Sequence, residues 1–111
     1  MGTRQLYACD FEVFGKVQRV FFRKYTANKA KDLGLHGWCK NSLDGSVKGQ
    51  MEGTQQELNN MKCWLQNKGS PKSRIERAIF SDMIPIIEKS KQIKLVVKHR
   101  IEFQKMIENY I

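Results

Sequence analysis

Three cysteines in 111 residues, Cys9, Cys39 and Cys63, leave an odd count with no C-x-x-C spacing. That argues against a disulfide framework and a zinc ribbon, and reads as free thiols in a reducing cytosol. No run approaches the ~18 uninterrupted apolar residues of a membrane span. Arg4, Asp10 and Glu12 break up the start of the chain, so neither a signal segment nor membrane insertion is expected. His36 and His99 have no second ligand at metal spacing, so no metal site is expected. Residues 13–31 hold no acid at all, while Lys16, Arg19, Arg23 and Lys24 crowd into the same stretch. The whole chain carries +9. Such a surface suits phosphorylated metabolites, nucleic acid or a membrane face, and charge alone does not choose among them.

What is present suffices for one compact domain, since a chain of this length with 41% hydrophobic residues can bury a core without staples. Tyr7, Cys9, Phe11 and Val13 alternate with Ala8, Asp10 and Glu12, the period-2 pattern of a half-buried strand, and Gly15 breaks it. From Phe22 to Leu33 the period becomes helical, with Phe22, Tyr25, Thr26, Ala30 and Leu33 on one face and Gly34 as the stop. Leu35 to Lys40 reads as a second strand, Asn41 to Gly45 as a turn, and Ser46 to Glu52 as a third strand. Asp44-Gly45 supports a hairpin between them. Thr54-Gln-Gln-Glu57 is a capping box for a second helix carrying Leu58, Met61 and Leu65, with Gly69 at its end. Ile75 to Phe80 forms a fourth strand.

The order β-α-β-β-α-β is that of an α+β, ferredoxin-like split β-α-β sandwich. It predicts a four- to five-stranded antiparallel sheet with both helices on one face. Ile93 to Val97 would supply an edge strand within a domain over residues 1–99. Phe103, Met106, Ile107 and Tyr110 fall at helical spacing in an extension over 100–111. Because the core can close on itself, a monomer is expected.

The segment Gly15 to Arg23 joins the first strand to the first helix and contains no Ser, Thr, Asp or Asn. The helix therefore lacks a side-chain N-cap, and its first N–H groups have no obvious acceptor. Cations in that turn are unfavourable by ~0.3–1 kcal/mol each beside the positive helix end. Free N–H donors and cations entered through a glycine are what an oxyanion requires, and the planar fork of Arg23 suits phosphate. The same residues also read as the solvated face of a basic helix. By position alone, Asn41 is a turn asparagine and Ser42 a turn hydroxyl.

The run Val13-Phe14-Gly15-Lys16-Val17-Gln18-Arg19-Val20-Phe21-Phe22-Arg23 resembles the loop of the small acylphosphatase family. So do Gly37-Trp38-Cys39-Lys40-Asn41-Ser42, then Gly45-Ser46-Val47-Lys48-Gly49, Gly53, and Gly69-Ser70-Pro71 with Arg74-Ile75 to Phe80. The resemblance covers about residues 6–80 and implies the fold already read from periodicity. It implies hydrolysis of the carboxyl-phosphate bond of small acyl phosphates, with neither metal nor cofactor. It further implies that Arg23 and the amides of Gly15, Lys16, Val17, Gln18, Arg19 and Val20 hold the phosphoryl group. Asn41 would orient the attacking water, with Ser42 in a supporting part.

Two departures stand out. Arg19 occupies a position where the family has glycine, which at φ > 0 costs a side chain ~1 kcal/mol or more. Residues from Ser81 onward do not follow the family's usual ending. The alternatives are a catalytically impaired, anion-binding relative and a basic RNA-binding domain of the same topology. RNA-recognition modules stack bases on aromatics of the first and third strands, and the third, Ser46 to Glu52, has none, so no nucleic acid is expected.

Overall fold

In the computed structural model, residues 5–88 and 100–103 are described. The elements are β1 (Leu6–Lys16), α1 (Phe22–Asp32), β2 (His36–Asn41), β3 (Val47–Thr54), α2 (Gln55–Asn67), β4 (Arg74–Phe80), β5 (Ile84–Ile86) and β6 (Arg100–Glu102). The sheet runs β4-β1-β3-β2-β6, with β5 also on β1. Every pairing is antiparallel. Since β3 is antiparallel to both neighbours, β1 and β2 run the same way with β3 between them: the split β-α-β arrangement, its helices on one face. α1 packs over β2 and β6, α2 over β4, β1 and β3, and the two helices touch.

The alternation of β1 puts Cys9, Phe11 and Val13 into the core, where they meet Val47 and Met51 of β3. Phe22, Ala27 and Ala30 of α1 and Leu58, Met61 and Leu65 of α2 close over them. Tyr25, expected on the buried face of α1, is 41% exposed, and Ala27 is buried instead. Thr26, Ala27 and Ala30 lie to one side of Phe22 around the helix, whereas Tyr25 lies to the other. The capping box forms as expected: Glu57 N–H donates to Thr54 Oγ1 at 3.2 Å, and Thr54 N–H donates to Glu57 Oε1 at 2.9 Å.

Three features lie beyond the sequence pattern. β1 does not end at Gly15 but continues to Lys16, with a register shift against β4 between Phe14 and Gly15. β4 and β5 share one side of β1, separated by residues 81–83 facing 9–10, which is a one-residue bulge. The Asp10 N–H donates to the Ser81 hydroxyl there at 2.8 Å. At the far edge, β6 pairs with Trp38 to Lys40, and Phe103 is fully buried. The expected boundary at residue 99 thus falls immediately before a strand of this sheet. The expected strand at Ile93 to Val97 and the expected terminal helix beyond Phe103 lie outside the described residues.

Candidate active site

Because β1 and β2 are parallel with one strand between them, their C-terminal ends lie on the same edge of the sheet. Val13 pairs with Val47, and Val47 with Asn41. Two strand spacings set β1 and β2 roughly 10 Å apart in this row. The loop after β1, the start of α1 and the end of β2 therefore converge on one corner. The Cys39 thiol reaches the Arg23 carbonyl oxygen at 3.9 Å, which seats the first turn of α1 directly on β2.

The loop is anchored by its apolar side chains. Val17 is 1% exposed, Val20 7% and Phe22 1%, and burying a side chain of this size contributes about 1.5–3 kcal/mol. Between them the backbone takes left-handed conformations at two non-glycine residues, Arg19 (φ 64°) and Phe21 (φ 59°). Each costs roughly 1–2 kcal/mol, which the three buried side chains offset. Alternating handedness along 18–21 makes a nest that turns successive N–H groups to one side. Val17 N–H donates back to the Gly15 carbonyl at 3.1 Å. The N–H groups of Gln18, Arg19, Val20 and Phe21 meet no acceptor among the described residues. Phe21 is the N-cap of α1 and offers no side-chain cap, and the first turn holds no acid.

Gly15 opens the loop at φ 126°. A Cβ there would run into the Arg74 carbonyl oxygen and lie 2.8 Å from the Glu76 nitrogen, so the bulge admits only glycine. Lys16 is the exposed last residue of β1. Arg23 is half-buried in the first turn of α1, beside the exposed Lys24. Asn41 ends β2; its residue is half-buried, and its Oδ1 is shut off from solvent with no hydrogen-bond partner among the described residues. Leaving such an acceptor empty costs about 1–3 kcal/mol.

The side chain of Gln18 does more than the sequence indicated. Its Nε2 donates to the carbonyls of Ser42 at 2.8 Å and Ser46 at 2.9 Å, stitching the loop to the hairpin turn that follows Asn41. A polar amide amid valines and cations was the only sequence signal for this. The turn itself is stiff: Ser42 N–H donates to the Ser46 carbonyl and Gly45 N–H to the Ser42 carbonyl. Ser46 Oγ lies 2.6 Å from Asp44 Oδ1 and 2.7 Å from Glu12 Oε2, sharing one proton between two carboxylates. The Ser46 hydroxyl, then its N–H, hold Asp44 below the ordinary aspartate value. Elsewhere, burial pushes the Cys9 thiol up, away from nucleophilic use.

Comparison with known proteins decides the family. The acylphosphatase family pattern matches residues 9–93. The chain belongs to the acylphosphatase family. It is 53% identical over 81 residues to acylphosphatase-1 of Drosophila melanogaster, covering 73% of this chain and 68% of that one. Against acylphosphatase-2 of Homo sapiens it is 49% identical over 83 residues, covering 74% and 84%. Its fold is similar to an acylphosphatase structure from Coxiella burnetii, with a TM-score of 0.70, 28% identity, and 82% and 94% of the two chains covered. As a member of this family the chain is an acyl phosphate hydrolase. None of these comparisons favours the impaired or the RNA-binding alternative. No described helix is long and apolar enough to cross a membrane.

Proposed function

We propose that the 15–23 loop, Arg23 and Asn41 form the catalytic centre, acting on small acyl phosphates in a cytoplasmic monomer. What supports this reading is that loop N–H groups with no acceptor, and an Asn41 Oδ1 with no partner, among the described residues, lie where β1 and β2 end on the same edge of the sheet. The nest and the Arg23 guanidinium hold the phosphoryl oxygens, the guanidinium through two parallel hydrogen bonds. The Asn41 carboxamide orients the attacking water and aims its lone pair at phosphorus. A new O–P bond forms while the bond from phosphorus to the acyl oxygen breaks, and the electron pair leaves on the carboxylate. The proton released by the water passes to a phosphoryl oxygen, giving inorganic phosphate.

Little acid assistance is needed, because the leaving carboxylate has a conjugate acid of pKa about 4. Positioning and charge stabilisation carry the reaction, and each well-placed donor contributes about 2.7–4 kcal/mol. Free thiols at Cys9, Cys39 and Cys63 support a reducing compartment, and a core closed within one chain supports a monomer. Hydrolysis of benzoyl phosphate in ¹⁸O-labelled water tests the step. Label is expected in phosphate alone; label in benzoate would place the attack at the carbonyl carbon and overturn the reading.

A further inference from the structure

One guanidinium of the loop has no part in the step above. Arg19 sits at φ 64° in the nest, and its side chain is exposed. Among the described residues it donates no hydrogen bond and forms no ion pair. Holding the loop together is the task of Val17, Val20 and the Gln18 carboxamide, so Arg19 is not kept for structure. A nest gathers successive backbone N–H groups around an anion. With its own amide in the cradle and its side chain exposed, Arg19 stands within one side chain's length of whatever a gripped substrate carries beside the phosphoryl group. Lys16 and Lys24 are exposed nearby in the chain, and no acid occurs between residues 13 and 31 to neutralise the three cations.

We propose that Arg19 is a specificity-determining residue that favours acyl phosphates whose acyl portion carries a second anionic group, a carboxylate or a phosphate. The proposal rests on the cradle reading of the loop. A rim cation acts through a screened, solvent-exposed pair, so its effect on kcat/KM is roughly two- to fivefold and shrinks with added salt. The Arg19 guanidinium takes no part in the in-line step, but it can rank substrates by what they carry beyond the phosphoryl group.

The test measures kcat/KM of the full chain for benzoyl phosphate, 4-carboxybenzoyl phosphate and 4-(phosphonomethyl)benzoyl phosphate, beside Arg19→Gln and Arg19→Lys. Glutamine removes the charge while keeping a long side chain at the left-handed position, so any disturbance of the loop cancels in the ratio of anionic to neutral substrate. That ratio is expected to fall roughly two- to fivefold in Arg19→Gln, to survive in Arg19→Lys, and to decline in the natural chain at high salt. The larger of the two preferences identifies the second anion as carboxylate or phosphate. A ratio unmoved by Arg19→Gln, with all three substrates still hydrolysed, overturns the role of Arg19 alone. Failure of the natural chain to hydrolyse any of them overturns the cradle reading and this proposal with it.

Discussion

The Gln18 carboxamide donates to the Ser42 carbonyl oxygen at 2.8 Å, tying the loop after β1 to the residue that follows Asn41. Two parts of the proposed centre, 24 positions apart, are thereby held at a fixed spacing. Gln18→Ala should lower kcat about tenfold with little change in KM, since misplacement by an ångström already costs up to ~10²-fold. Gln18→Glu should be worse, because a carboxylate cannot donate to two carbonyls. Steady-state kinetics with denaturation midpoints check this; a variant with unchanged kcat would remove Gln18 from the positioning role.

Gly15 tolerates no side chain. With φ at 126° and the Arg74 carbonyl in the place of a Cβ, Gly15→Ala should destabilise the fold by about 2 kcal/mol or more. Urea denaturation reads this directly, and a loss under ~0.5 kcal/mol would mean that the bulge relaxes freely.

Thr54→Ala supplies the contrasting case. It removes the acceptor of the Glu57 N–H and breaks the capping box, at a cost of about 1 kcal/mol. α2 contributes nothing to the proposed centre, so kcat at a temperature well below the midpoint should stay within twofold. A large fall in kcat would tie the capping of α2 to the site.

Asp44 contributes to the acid limb of stability. Its folded pKa is lowered, first by the Ser46 hydroxyl, so it contributes stability above its unfolded pKa and loses it as pH falls through the folded value. The stability difference between the natural chain and Asp44→Asn should therefore narrow on acidification through that window. An NMR titration should place the Asp44 midpoint below the ordinary aspartate value, and a midpoint at or above that value contradicts the assignment.

The four main strands and both helices were legible because their signals are local. Alternation at Cys9, Phe11 and Val13, the Thr54 capping box and the Asp44-Gly45 turn each decide structure within a few residues. The loop was legible in part: the missing cap follows from residue chemistry, while the conditional cost at Arg19 came only from the resemblance, which has glycine there, and φ 64° meets that condition. The Gln18 bridge was not, since its acceptors are carbonyls on another strand connection, which no spacing encodes. Nor was β6, where three residues gain their strand character only from the edge of β2. Tyr25 shows the limit of periodicity, because a residue at the margin of a stripe is placed by what packs beside it. The left-handed Phe21 had no signal, since nothing about phenylalanine favours that conformation.

The central claim is that a guanidinium at the start of α1 and a carboxamide at the end of β2 carry the hydrolysis. Phosphate release from benzoyl phosphate by the natural chain, Arg23→Ala and Asn41→Ala tests it most directly, with thermal midpoints measured alongside. The account predicts folded variants whose kcat/KM falls at least ~10²-fold. A folded Arg23→Ala or Asn41→Ala chain that hydrolyses at the natural rate would contradict it.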